Sequence, residues 1–266
     1  MDRREFVALA AASLASGLLN SFSTNVAADV TKSKIKAIAF DAFPIFDPRP
    51  VSALAEHLFP GKGAVLSEEW RIRQFEYTWL RVATRHYADF WQVTQDALIF
   101  AANKLKLELS GDKRDALMHE YLQLPAWPDV PPALEVLKKS GLRLAFLSNL
   151  TTHMLASNIG NAGLDGTFEQ VLSTDRVKSY KPDPDAYRLG VDVLKLKRDE
   201  ILFVAFAGWD AAGAKLFGYP TFWVNRLQLP VEELGAVPDA TGSSLSDLVQ
   251  FLEKTQGQAI TGGLLS

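Results

Sequence analysis

Three short apolar runs, residues 35–40 (IKAIAF), 142–147 (LRLAFL) and 201–205 (ILFVA), give way to polar or small residues. The first two do so at once, at Asp41 and Ser148, and the third after Phe206, at Ala207 and Gly208. Runs of this length, bounded by turn-forming residues, predict buried strands. Residues 221–225 (TFWVN) fit the same pattern and predict a fourth. Between the later runs the apolar residues recur every three or four positions, over residues 132–141, 185–197 and 210–218. Strands that alternate with such helices predict an α/β fold, a doubly wound, Rossmann-like parallel sheet.

The first two strands are separated by a long stretch, residues 50–128, that reads as helix throughout. In residues 67–87 Ser67 is the expected N-cap, Glu68 and Glu69 suit the positive end of the helix dipole, and Ile72, Phe75, Trp79 and Val82 form the expected inward stripe. Residues 90–107 and 111–124 predict two more helices. An insert of this length has no room inside the sheet, so it predicts a helical cap over one end of a core built from residues 34–49 and 129–254. Proline-rich residues 124–133 predict the return linker, and residues 255–266 a loose tail.

Charge and composition narrow the partners. The net charge is −3 and the basic residues are scattered, so no stripe offers a duplex the counterion release that drives nucleic-acid binding. The chain has no cysteine, which excludes thiol nucleophiles, cysteine-ligated zinc and disulfides. At the N-terminus Arg3 and Arg4 precede an apolar run from Val7 to Leu19, and small residues close the segment at Val26, Ala27 and Ala28. This order predicts a twin-arginine-type export signal over residues 1–28 and a periplasmic mature protein. The apolar run is shorter than the roughly 20 residues a bilayer span needs, so no stable membrane association is expected once the signal is removed.

In open parallel sheets ligands bind beyond the C-terminal ends of the strands. The polar residues that follow the apolar runs therefore converge there: Asp41, then Ser148 and Asn149, then Lys181, then Asp210. A single aspartate after a strand is more often a helix cap or turn former. Four such positions in order single out one site.

The stretches FDAFPIFD (40–47), WRIRQFEYTWLR (70–81), LAFLSN (144–149), VKSYKPDPDAY (177–187) and ILFVAFAGWDAAGAKLFGYPTFWVNR (201–226) resemble the haloacid dehalogenase superfamily. The resemblance narrows to its (S)-2-haloacid dehalogenase branch. It implies that the Asp41 carboxylate displaces halide from the α-carbon of a short (S)-2-haloalkanoic acid and forms an ester that water hydrolyses, giving an (R)-2-hydroxy acid. It further implies that Lys181 holds Asp41, that Asp210 orients Lys181 or the hydrolytic water, and that Tyr187 is a supporting tyrosine of the substrate site near Lys181. Arg71 and Asn149 would receive the halide, Ser148 would bind the substrate carboxylate, and Phe43, Phe75, Phe90 and Trp209 would line the pocket. No cofactor and no metal are implied; a homodimer is.

Phosphatases of this superfamily carry a second aspartate where this chain has Phe43. A halide leaving group needs no proton, so an aromatic residue there favours carbon–halogen cleavage over phosphoryl transfer. Three stretches depart from the branch: Pro44-Ile45 replaces Gly-Thr, Ala205-Phe206-Ala207 replaces Ser-Ser-Asn, and Leu150 replaces glycine. Two alternatives therefore stay open at this point, an exported dehalogenase-like protein of little turnover that binds a small carboxylate, and a phosphatase.

Overall fold

The computed structural model describes residues 34–256. The export segment expected at residues 1–28 lies outside the described residues, as does the expected tail from residue 257 onward. Residues 255 and 256 are not tail but the end of a helix.

Six strands form one parallel sheet: β1 (Ala37–Phe40), β2 (Arg143–Ser148), β3 (Gln170–Ser173), β4 (Ile201–Ala205), β5 (Thr221–Val224) and β6 (Ala240–Gly242), in the order β3-β2-β1-β4-β5-β6. Every residue of β1, β4 and β5 is buried, because helices cover both faces of the sheet. This is why those strands read as continuous apolar runs rather than alternating ones. The core helices are α5 (Val130–Lys139), α6 (Thr152–Asn161), α7 (Pro184–Leu194), α8 (Gly208–Phe217) and α9 (Leu245–Gln256). Helix α5 starts inside the proline-rich stretch, where Pro131 and Pro132 suit a first turn that needs no N–H donors.

The insert holds four helices: α1 (Arg49–Leu58), α2 (Gly63–Thr84), α3 (Phe90–Lys104) and α4 (Gly111–Glu120). Helix α2 starts before Ser67, which lies in its interior rather than at its cap. The expected stripe is also displaced, since Ile72 is 44% and Trp79 39% exposed. The buried face is Leu66, Trp70, Gln74 and Thr78, which follow one another at i, i+4. Two of these are polar and are satisfied locally. Gln74 Nε2 donates to Thr94 Oγ1 of α3 at 2.6 Å, and Thr78 Oγ1 donates to the Phe75 carbonyl at 2.7 Å. Gly63 lets α1 and α2 meet, because a Cβ there would lie 2.1 Å from the Glu56 nitrogen.

The chain leaves and re-enters the core at one place. Phe46 and Ala126 form an isolated antiparallel bridge. The Asp47 N–H donates to the Pro125 carbonyl at 2.8 Å, and the Trp127 N–H to the Ile45 carbonyl at 3.0 Å.

Candidate active site

Strand β1 runs between β2 and β4, with Phe40 in register with both Phe146 and Val204. From β1 the sheet is built outward in both directions, which opens a crevice at the strands' C-terminal ends. Asp41 is the first residue past β1, and its N–H donates to the Val204 carbonyl at 3.0 Å. Ser148 ends β2, Asn149 follows it, Lys181 precedes α7 and Asp210 lies in the first turn of α8.

These side chains meet in one buried cluster. Lys181 Nζ donates to Asp41 Oδ1 at 2.9 Å and to Asp210 Oδ2 at 2.6 Å, with side-chain exposures of 1% for Lys181, 12% for Asp41 and 2% for Asp210. Ser148 Oγ donates to Asp41 Oδ1 at 3.2 Å, and Tyr187 OH to Asp210 Oδ1 at 2.7 Å. Burial opposes the charge on Lys181, but Asp210 and Asp41 outweigh it and hold the ammonium above the ordinary lysine range. Burial pushes the Asp210 carboxyl up to about 6, against the pull of Lys181 and Tyr187. Burial also raises the Tyr187 hydroxyl well above its ordinary value, so it acts as a donor.

The two oxygens of Asp41 are not equivalent. Oδ1 carries the bonds from Lys181 and Ser148, whereas among the described residues Oδ2 accepts only a long 3.4 Å contact from the Phe43 N–H. Oδ2 therefore keeps the lone pairs free for attack on an electrophile.

Asn149 is locked by its oxygen. Oδ1 accepts from the Lys181 N–H at 3.0 Å and from Thr174 Oγ1 at 3.2 Å. Nδ2 is buried and has no partner among the described residues. The amide thus presents unused donors beside the cavity, a site for an anion or carbonyl oxygen.

The cluster opens into a cavity of about 180 Å³ lined by Asp41, Phe43, Ser148, Asn149, Lys181 and Trp209 from the core and by Arg71, Phe75 and Phe90 from the insert. Phe75 and Trp79 of α2 meet Trp209 edge-on, with centroids 5.1 and 5.6 Å away, so the insert packs against the core beside the cavity. Among the described residues no group of three or more His, Asp or Glu side chains is arranged to hold a metal ion. No described helix is long and apolar enough to cross a membrane.

A family model described as haloacid dehalogenase-like hydrolase matches residues 25–218. The chain is 42% identical over 229 residues to the (S)-2-haloacid dehalogenase of Pseudomonas sp. strain YL, covering 86% of this chain and 99% of that one. The chain belongs to the haloacid dehalogenase-like hydrolases. A crystal structure of an L-2-haloacid dehalogenase superposes with a TM-score of 0.82 at 44% identity, covering 83% of this chain and all 100% of that one. The Xanthobacter autotrophicus L-2-haloacid dehalogenase with chloropropionic acid covalently bound superposes with a TM-score of 0.77 at 33% identity, covering 85% of this chain and 100% of that one.

Nine of the eleven residues singled out in the sequence of this dehalogenase-like hydrolase line the cavity. Asp210 and Tyr187 do not: both stand behind Lys181, where Tyr187 holds Asp210 and Asp210 holds Lys181. Gln74, Tyr121, Leu227 and Leu229 line the cavity without having been singled out, and Phe206, one of the departures from the branch, lines it as well. Gln74 is one turn after Trp70 on the buried face of α2, a signal that a search for apolar stripes passes over. Burial pushes the Tyr121 hydroxyl up to about 12, against the pull of Gln74 and Arg71.

The departures from the hydrolase branch have structural counterparts. Ile45 is fully buried, and its N–H donates to the Ala42 carbonyl at 3.1 Å. The carbonyl of Phe43 accepts from Trp127 Nε1 at 3.0 Å, and that of Pro44 from Arg226 Nη2 at 3.2 Å. Arg226 is fixed by two 2.9 Å bonds to Asp129. The Trp127 ring lies against two guanidinium groups, Arg226 at 4.4 Å and Arg49 at 4.6 Å. The loop after Asp41 is thus held by side chains that bond its carbonyls. Phe206 packs against Phe43 with centroids 6.1 Å apart, and Leu150 is buried with its N–H on Ser148 Oγ at 3.3 Å.

Proposed function

We propose that the protein is a hydrolytic dehalogenase of (S)-2-haloalkanoic acids. The observation that carries this reading is the asymmetric Asp41 carboxylate, with Oδ1 tied to Lys181 and Ser148 and Oδ2 free beside the cavity. Oδ2 attacks the carbon that bears halogen, the carbon–halogen bond breaks with its electron pair on the halide, and an ester forms on Asp41. Water then adds to the ester carbonyl of Asp41, and the (R)-2-hydroxy acid leaves with inverted configuration.

Each partner has a role that its position supports. Asn149 offers its unpartnered Nδ2 donors to the departing halide, and Ser148 binds the substrate carboxylate by turning its one O–H away from Asp41 Oδ1. Arg71, exposed on α2 and lining the cavity, offers the halide a cation. Lys181 neutralises Asp41 in its resting state. Asp210 stands off the cavity, which supports the Lys181-orienting role over direct contact with the hydrolytic water. Phe43 packs on Phe206 where a phosphatase of the superfamily would need a second carboxylate, which favours dehalogenation. The helical insert, residues 50–128, serves as a cap that supplies Arg71, Phe75 and Phe90.

Purified protein is expected to release halide from 2-chloropropionate, and Asp41→Asn to release none. In a reaction stopped before hydrolysis, mass spectrometry is expected to find the ester on the peptide that carries Asp41. Halide release by Asp41→Asn at the native rate rules the mechanism out.

Arg3 and Arg4, followed by the apolar run, support export by the twin-arginine route to the periplasm. Replacing both with lysine is expected to leave the protein in the cytoplasmic fraction. The family resemblance supports a homodimer, which light scattering of the purified protein tests.

A further inference from the structure

The mouth of the cavity is more apolar than a two- or three-carbon acid requires. A cavity of about 150 Å³ holds a benzene, so the six heavy atoms of 2-chloropropionate take up most of the 180 Å³ here and a longer chain extends to the mouth. That mouth is mainly apolar, with Asn225 and Glu232 as the polar groups beside the two leucines. Ala207 and Phe206 line it on one side, and Leu227 and Leu229 of the loop after β5 line it further out.

These two leucines are displayed by a built turn. The Asn225 N–H is anchored to the Gly242 carbonyl at 2.7 Å. Asn225 Oδ1 accepts from the Leu229 N–H at 2.9 Å, and Asn225 Nδ2 donates to the Leu229 carbonyl at 2.8 Å. Both backbone groups of Leu229 are therefore fixed by one side chain. The same loop seats on the start of α8: a Cβ on Gly208 would lie 3.0 Å from Glu232 Oε1. Leu227 and Leu229 nevertheless remain 55% and 50% exposed. Two bulky apolar side chains, held in place at the mouth of an apolar cavity and half open to water, have surface left to bury against a ligand.

We propose that Phe206, Leu227 and Leu229 form a subsite for an apolar chain, and that the preferred ligands are 2-haloacids whose α-carbon carries an alkyl chain of several carbons. This rests on the dehalogenase reading for the identity of the head group. The acid and halogen sit at Ser148, Asn149 and Asp41. The chain runs past Phe43 and Phe206 toward Leu227 and Leu229. Each methylene buried along this path strengthens binding about fourfold.

The test separates the subsite from the chemistry. Asp41→Asn protein is titrated with 2-bromopropionate, 2-bromobutanoate, 2-bromohexanoate and 2-bromooctanoate by calorimetry. The expected result is a Kd that falls about fourfold per added methylene until the leucines are covered. In the same background Leu227→Ser/Leu229→Ser flattens that slope, and Phe206→Ser flattens its first steps. The leucines are exposed, so the double variant is expected to melt as the parent does. A Kd independent of chain length, or a slope unchanged in both variants, overturns the subsite. Halide release by the native protein is measured on the same acids. Halide release from 2-bromopropionate with a flat binding series removes the subsite and leaves the dehalogenase. Rising affinity without halide release from any acid keeps the subsite and removes the reaction.

Discussion

Lys181 Nζ stands 2.9 Å from Asp41 Oδ1, although 140 residues separate the two in the chain. The same ammonium is 2.6 Å from Asp210, so one buried cation is shared by two buried carboxylates. Replacing Lys181 with methionine keeps the volume and removes the charge, and leaves two largely buried carboxylates facing each other without a cation. Breaking a buried pair in this way destabilises by about 3–5 kcal/mol. We expect Lys181→Met to lose at least about 100-fold in halide release and to unfold at markedly lower denaturant concentration. A variant with native turnover and native midpoint would remove Lys181 from the mechanism.

Asp210 gives the reaction an acid limb. Its carboxyl is pushed up to about 6 by burial, and it must be ionised to hold Lys181 through a charged bond. Activity is therefore expected to rise with pH through about 6 and to level off above it. Tyr187 pulls that value down by donating to Oδ1, so Tyr187→Phe is expected to move the limb to higher pH. For stability the sign is opposite. The folded value lies above the ordinary 3.8, so the folded state holds this proton more tightly, and this group's contribution is lost as pH rises from 3.8 to about 6. A pH–rate profile of Tyr187→Phe that overlays the native one speaks against Asp210 as the source of the limb.

Asn149 separates structure from anion binding. Aspartate at this position keeps an acceptor for the Lys181 N–H and for Thr174, but replaces the unpaired Nδ2 donors with a negative charge. We expect Asn149→Asp to fold normally and to lose about 100-fold or more in kcat/KM. Inhibition by added bromide should weaken in parallel. Retained bromide inhibition would assign the halide site elsewhere.

The loop after Asp41 depends on Trp127. Phenylalanine there keeps a ring between Arg49 and Arg226 but removes the bond from Nε1 to the Phe43 carbonyl. A bond of this kind contributes about 0.5–1.5 kcal/mol. For a chain of this size that is a fall in Tm of about 2–4 °C per kcal/mol. Turnover should fall by more than the stability loss explains, because Phe43 leads directly to the nucleophile. Native kcat in Trp127→Phe would restrict the tryptophan to a structural part.

Strands β1, β2, β4 and β5 were legible because burial on both faces leaves them almost wholly apolar, with polar residues confined to their ends. Strand β3, Gln170–Ser173, escaped notice: its first two residues are only partly buried and it carries one glutamine. Strand β6, Ala240–Gly242, is a three-residue edge strand without an apolar pattern. In α2 the inward face carries Gln74 and Thr78, whose hydrogen bonds to α3 and to the helix backbone become visible only once the helices are packed. The chemistry-bearing residues were legible because the sheet fixes where strand ends go. Leu227 and Leu229 were not, since a loop's position depends on the Asn225 bonds that fold it.

The bridge between Phe46 and Ala126 has an evolutionary consequence. The insert enters and leaves through backbones already hydrogen-bonded to each other, so its length hardly changes the entropy of closing that junction. Selection can lengthen, shorten or exchange these helices while the sheet and its row of strand-end side chains stay in register. What a descendant of this chain accepts as substrate can change without its way of breaking the bond changing with it.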